Sequence, residues 1–155
     1  MTETAKTKQH LVTDAQWRAL TAIADCIIPA SAEFDAPSAG DAAICKAIVK
    51  GAGRRLEPLR AALSTLDDLA RASQEAAFAD LDGARRQSVA EAFRSAHPAA
   101  AELLELLTTQ CYYRDDRVMI SLGIPVRPPH PEGYTVEQGD WSLLDPVRRR
   151  PEFHR

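Results

Sequence analysis

The chain changes character within the stretch from Thr108 to Tyr134, which reads TTQCYYRDDRVMISLGIPVRPPHPEGY. Before this stretch apolar residues recur at helical spacing, and after it they do not. An aperiodic segment at the end of so small a chain either stays solvated or lies on another surface. We expect it to lie on a larger protein, because its aromatic residues are widely spaced, as anchoring side chains are.

Composition predicts the fold class. The chain has 155 residues, a length that suits one domain, and it is 45% hydrophobic but only 6% aromatic. Abundant Ala and Leu with few β-branched runs favour helices over a sheet. We therefore expect an all-α fold: one bundle of about five helices over residues 1–123, followed by an irregular proline-rich strap over residues 124–155. A net charge of −3 with scattered Lys and Arg gives no electrostatic reason to bind nucleic acid.

Targeting signals and cysteine usage suggest a location. The N-terminal residues MTETAKTKQHLVTDAQW contain neither the apolar run of a secretory signal nor a twin-arginine pair. No segment approaches the roughly 18 apolar residues that span a membrane. Cys26, Cys45 and Cys111 are odd in number and form no C-x-x-C motif, which favours buried thiols in a reducing compartment over disulfides or zinc. We expect a cytoplasmic protein, or a periplasmic one if a leader peptide has been removed.

Local signals predict where the first two helices lie. Thr13 followed by Gln16 forms a capping box, and the apolar face that follows stops at Pro29, so the first helix should span about 14–28. A polar, turn-rich loop comes next. Ser38 is the expected cap of a second helix, which Gly51 and Gly53 end.

Three further helices follow from apolar spacing and turn signals. Leucines from Leu56 to Leu69 step by three or four residues and form a stripe, which we interpret as core rather than a zipper. The turn signal Asp82–Gly83 opens a fourth helix. Pro98 suits the first turn of a fifth, whose apolar stripe runs to Cys111.

The strap has a composition that prevents long regular elements. From Ile124 onward it holds six of the ten prolines, together with Tyr134, Trp141 and Phe153. Proline interrupts both helices and central strands, so the strap must stay solvated or use another surface. Disordered tails are usually poor in aromatic residues, and we therefore favour docking.

No common catalytic signature is present. The four histidines have no partner ligand at helical spacing, and the zincin, P-loop, Rossmann and nucleophile-elbow motifs are missing. The run from Arg114 to Arg117, RDDR, could be a pair of carboxylates for acid–base chemistry. Consecutive helical residues point about 100° apart, however, and each aspartate adjoins an arginine, so we interpret the run as an ion-pair cluster at a helix end.

The tyrosine pair and the arginine run near the C-terminus each have two possible interpretations. Tyr112 and Tyr113 either pack at the edge of the core or form an aromatic patch that a partner buries. The arginines at 148–150 could bind phosphate, although so short a basic run more often forms a solvated face or pairs with acids on a partner.

Taken together, these residues resemble a known family. The pattern consists of L-T-x-A-x-W/L-x-x-L and I-I-P near the N-terminus, then YY-x-D-x-R-V-x-x-x-L-G, P-x-P-x-G-Y and a late tryptophan. The residues that carry it are Leu11, Thr13, Trp17, Leu20, Ile27, Ile28 and Pro29, then Tyr112, Tyr113, Asp115, Arg117, Val118, Leu122, Gly123, Pro129, Pro131, Gly133, Tyr134 and Trp141. They resemble the gluconate 2-dehydrogenase subunit 3 family, the small subunit of FAD-dependent sugar and polyol dehydrogenases.

The resemblance implies a chain that is not catalytic alone. In such complexes a large subunit of the glucose-methanol-choline oxidoreductase type holds FAD and transfers the hydride, while the small subunit serves its folding, stability or export. We expect no cofactor in this chain and FAD in its partner. Many family members carry a twin-arginine signal, which this sequence lacks, and this departure weakens any link to a membrane-bound cytochrome subunit.

The leading hypothesis is a small subunit that docks its strap on a flavoprotein that oxidises a sugar, sugar acid or glycoside. The residues predicted to meet that partner are Tyr112, Tyr113, Arg117, His130, Tyr134, Trp141, Arg148, Arg149 and Arg150. An alternative is that His130 or Tyr134 reaches the rim of the partner's active site. Two rival hypotheses are a transient assembly chaperone and an independent helical enzyme that uses Asp115, Asp116 or a tyrosine.

Overall fold

The protein is all-α, as the composition predicts. A computed structural model describes residues 11–127, 133 and 139–150, and over these residues it contains seven α-helices and no strand apart from one isolated bridge between Ser31 and Ala36. The helices are α1 (Asp14–Ile27), α2 (Ala42–Gly51), α3 (Leu56–Gln74), α4 (Gly83–Ala96), α5 (Pro98–Tyr112), α6 (Asp116–Ser121) and α7 (Asp145–Arg148). The first five form the bundle.

Helix α5 is the centre of the bundle, because it packs against each of α1, α2, α3 and α4. Its side chains Leu104 and Leu107 are 2% exposed and lie in a single apolar core. The leucine stripe of α3 faces the same core: Leu59, Leu63 and Leu66 are fully buried. The interpretation of that stripe as core is confirmed.

The predicted start of α1 is confirmed in atomic detail. The Thr13 hydroxyl accepts from the Gln16 amide at 3.2 Å, and the Gln16 side-chain oxygen accepts from the Thr13 amide at 2.9 Å. The Gln16 side chain also donates to the Ser64 hydroxyl on α3 at 3.2 Å. One capping box therefore both begins α1 and ties it to its neighbour.

The predicted cap of the second helix was wrong by three residues. Asp41, not Ser38, caps α2, and its carboxylate accepts from the Ala43 amide at 2.8 Å. The Ser38 hydroxyl instead donates to Asp25 of α1 and accepts from the Gly40 amide. The bond to Asp25 holds this loop against α1, and α2 therefore begins only after Asp41.

Two short helical segments were not predicted from the sequence. Helix α6 follows the RDDR run, and a 3-10 turn over Trp141–Leu144 leads into α7 within the strap. Each spans fewer than two full turns, so apolar periodicity does not reveal it. The α7 segment packs chiefly against that 3-10 turn.

Candidate partner interface

Among the described residues, the large apolar side chains that are exposed are concentrated in the C-terminal third of the chain. Nine large apolar side chains from residue 113 onward are exposed, whereas the rest of the described chain exposes only Leu11, Phe34 and Leu106. The nine are Tyr113, Ile120, Leu122, Ile124, Val126, Trp141, Leu143, Leu144 and Val147, and we call them the C-terminal apolar set. Their concentration along the sequence makes this part of the chain the candidate for a surface that another protein covers.

Helix α6 carries the first part of this set on a defined scaffold. Its Val118 is fully buried in the bundle core, while Ile120, two positions further on, is 66% exposed. The helix ends in a Schellman motif: the Gly123 amide donates to the Ile120 carbonyl and the Ile124 amide to the Met119 carbonyl, at 2.9 and 2.8 Å. Gly123 takes φ = +70°, a left-handed conformation that favours glycine. The direction in which the strap leaves α6 is therefore set locally.

The side chain of Arg117 ties α6 to the bundle. Its Nη2 and Nη1 donate to the two carboxylate oxygens of Asp41 at 2.8 and 3.3 Å, and its Nε and Nη2 donate to Asp115 at 3.0 Å each. Asp115 also caps α6 by accepting from the Arg117 amide at 3.0 Å. The interpretation of RDDR as an ion-pair cluster at a helix end is confirmed for Asp115 and Arg117.

The contact between Arg117 and the two aspartates shifts the pKa values of all three groups. The hydrogen bond from Arg117 lowers the pKa of Asp41 to about 2. The same guanidinium lowers the pKa of Asp115, while the two carboxylates raise the pKa of Arg117 itself. All three groups therefore keep their charges over the physiological pH range.

The two tyrosines take different positions. Tyr112 lies in the core with 5% of its surface exposed, and burial is the main cause of its raised pKa. Tyr113 is 52% exposed, and its ring meets that of Tyr112 edge to face with centroids 5.2 Å apart. Tyr112 thus packs as the first alternative predicts, and Tyr113 belongs to the exposed set. Contact of either ring with a partner stays a prediction.

The remaining predicted interface residues lie in or near the strap. Trp141 is 60% exposed in the 3-10 turn, and Arg148 ends α7 with its guanidinium 3.5 Å from Asp145. Arg149 and Arg150 are exposed. His130 and Tyr134 lie outside the described residues, so their predicted roles stay predictions.

Sequence reasoning missed most of the aliphatic members of the set and the partner of Arg117. The run LGIPV, at 122–126, gave a signal through its density of apolar residues beyond the last predicted helix. No sequence signal pointed to Asp41 as the partner of Arg117, because the two residues lie 76 positions apart along the chain. No spacing rule connects residues at that separation.

Grooves, thiols and metal-binding side chains are the other features of the bundle to consider as sites of chemistry. A groove of about 350 Å³ lies between α1, α4 and α5, and at its rim Arg94 already faces Glu105 at 3.8 Å. The three cysteines are free thiols, and burial raises the pKa of Cys45 to about 11. Over the described residues no cluster of three metal-binding side chains occurs, and none of the helices there is long and apolar enough to cross a membrane.

Comparison with known families gives one match. The model of the family described as gluconate 2-dehydrogenase subunit 3 matches residues 14–121, which extend from the start of α1 to the end of α6. Comparisons with curated proteins and with solved structures give no match. The matched segment contains the whole bundle together with Asp41, Asp115 and Arg117.

Proposed function

This chain belongs to the gluconate 2-dehydrogenase subunit 3 family, and from that membership we propose that it is the non-catalytic small subunit of an FAD-dependent dehydrogenase. Its partner would be a large flavoprotein of the glucose-methanol-choline type that oxidises a hydroxyl group of a sugar, sugar acid or glycoside. FAD and the hydride transfer belong to that partner. The role of this chain is to stabilise the folded partner and to take part in its assembly.

The observation that carries the proposal is the C-terminal apolar set. Leu143 is 74% exposed, Ile120 is 66% exposed and Trp141 is 60% exposed. Covering such side chains removes apolar surface from water and contributes about 25 cal/mol for each Å² buried. A large protein surface that fits them supplies that burial, which a monomer in solution does not.

Stabilisation of the partner follows from mass action. A subunit that binds only the folded flavoprotein raises its free energy of unfolding by about 2.7 kcal/mol when its concentration is 100 times the Kd. Obligate interfaces of this kind usually bury more than about 2,000 Å² in total. A small helical chain can therefore affect the yield of a flavoprotein without touching its flavin.

The direct test is co-expression with the product of the adjoining open reading frame, purification through a tag on this chain, and an absorption spectrum of the eluate. We expect a co-eluting large protein with a flavin band. Substituting Ile120→Asp or Leu143→Asp should reduce the amount of that protein. The matched control is Leu106→Asp, because Leu106 is an exposed leucine, at 43%, outside the C-terminal apolar set.

The same experiment separates the rival functions. A flavoprotein that is active only after co-expression but elutes without this chain would indicate a transient assembly chaperone. A colourless monomer with no companion would contradict the proposal, and turnover by the isolated chain would then favour an independent enzyme. The cytoplasmic location stays a prediction that cell fractionation tests.

A further inference from the structure

Helix α6 is too short to hold its own position. It has six residues, and isolated helices shorter than about 12 residues are marginal in water. Its orientation therefore depends on contacts with the bundle. Val118 supplies one of these, since its side chain is fully buried in the core cluster.

One buried side chain fixes the position of α6 but still allows the helix to rotate about that side chain. Arg117, the neighbour of Val118, supplies the second contact through its two hydrogen bonds to Asp41. Asp41 is itself fixed, because it caps α2 and follows a loop that is hydrogen-bonded to α1. Together with the hydrogen-bonded turn that joins α5 to α6, these two contacts set which way α6 faces.

The guanidinium of Arg117 makes four hydrogen bonds within the chain from its five N–H donors. Each of its three nitrogens donates to Asp41 or Asp115, at distances from 2.8 to 3.3 Å. Bidentate pairing of this type fixes geometry as well as charge. Although the side chain is 50% exposed, its donors are directed at two carboxylates of its own chain rather than at a partner.

Because Ile120 and the Schellman motif at Gly123 follow directly, the orientation of α6 determines where the apolar set begins and where the strap leaves the bundle. We propose that Arg117 is a positioning residue for partner binding, which acts through Asp41 and Asp115 by holding α6 in its docking orientation. This inference rests on the proposed function, since it assumes that the flavoprotein is the partner. It predicts that the affinity depends on residues that do not touch the partner.

The test uses Asp41→Asn, because asparagine is as good a helix cap as aspartate but lacks the charge that pairs with Arg117. The Kd for the co-expressed flavoprotein is measured for the wild-type chain, Asp41→Asn, Arg117→Ala and the double variant. We expect each single variant to raise the Kd by roughly fivefold, the effect of losing a partly exposed charge pair. The double variant should be no worse than Arg117→Ala, because both substitutions break the same contact.

Hydrogen exchange of the backbone amides can be measured on the free chain, without a partner. In Asp41→Asn the amides of 117–124 should exchange faster, while those of α3 and α5 stay protected. The matched control is Arg18→Ala, which breaks another exposed ion pair between distant residues, with Asp80, outside the C-terminal third. It should change neither the Kd nor the exchange of 117–124.

Three results would overturn the inference. If Arg117→Ala weakened binding while Asp41→Asn did not, the pair with Asp41 would not be what orients α6. If the two effects added in the double variant, they would act separately. If exchange of 117–124 were unchanged in Asp41→Asn, the ion pair would not hold α6. A wild-type chain that binds no flavoprotein would contradict the proposed function, and the exchange experiment would still decide the role of the ion pair.

Discussion

At the residue scale, Asp41 combines two functions in one carboxylate. One of its oxygens accepts from the Ala43 amide at the start of α2, and both accept from Arg117 of α6. The side chain keeps 30% of its surface exposed, so solvent screens the charge pair. Its effect on stability should be modest, measurable and dependent on pH.

The first prediction concerns that pH dependence. The pKa of Asp41 is lowered from 3.8 to about 2 in the folded chain. A depressed pKa contributes stability that is complete above about pH 4 and disappears as the pH falls through about 2. The full shift corresponds to about 2.4 kcal/mol at 1.36 kcal/mol for each pKa unit, and solvent screening reduces this to about 1 kcal/mol.

Urea unfolding of the wild-type chain and Asp41→Asn checks this value. The free energies of unfolding should differ by about 1 kcal/mol at pH 6 and converge as the pH approaches 2. Asp68→Asn, which changes an exposed carboxylate on α3, is the control and should show a much smaller difference. A gap between wild type and Asp41→Asn that stayed constant down to pH 2 would contradict the ion-pair explanation.

A second prediction concerns Gly40, which lies beside α1. A Cβ atom added there would be 2.7 Å from the Thr21 carbonyl oxygen and 3.1 Å from the Asp25 Cβ. Because the nearest atom belongs to a helix backbone, Gly40→Ala should lower the free energy of unfolding by about 1–3 kcal/mol. Gly83→Ala is the matched control: no atom lies within 4 Å of its added Cβ, and alanine suits the first turn of α4. Equal thermal midpoints for the two variants would show that the loop moves aside.

At the element scale, the capping box of α1 gives a third prediction. Thr13→Ala removes the hydroxyl that accepts from the Gln16 amide. Loss of such a cap costs about 1 kcal/mol, which chemical denaturation can measure. Thr109→Ala is the control, because that exposed hydroxyl donates to the Glu105 carbonyl inside α5 and caps nothing. Comparable losses from both variants would indicate that the capping box contributes no more than an ordinary helical threonine.

The accuracy of sequence-based prediction also differs by element. Helices α1, α3, α4 and α5 were predictable because their signals are local: a capping box, an apolar stripe, an aspartate–glycine turn and an N-terminal proline. The start of α2 was not, because the loop before it is set by contacts with α1. Helix α6 was missed because six residues show no reliable period.

The candidate interface divides in the same way. Its position in the C-terminal third was predictable from proline content and aromatic spacing. The orientation of α6 was not, because it depends on a contact between Arg117 and Asp41 that only the packing of α1, α2 and α5 creates. The burial of Tyr112 beside an exposed Tyr113 likewise depends on where α5 ends.

At the scale of the whole molecule, the buried core and the strap occupy different parts of the described chain. The buried core cluster extends from Val12 to Val118, whereas the described residues of the strap, from Ile124 onward, all lie outside it. The core seen in the described residues is therefore formed without those of the strap. A division of this kind predicts that folding and partner binding can be separated by truncation.

The fourth prediction tests that separation. A chain that ends after Ile124 keeps the amide that donates to the Met119 carbonyl and closes α6. It should retain a helical circular dichroism spectrum and a cooperative thermal transition close to that of the full chain, because none of the described residues that it removes belongs to the core. It should not retain the flavoprotein in the tagged co-purification, since Trp141, Leu143 and Val147 are lost. Full retention of the partner would show that the strap is not the docking element, and loss of cooperative unfolding would show that the strap is needed to complete the bundle.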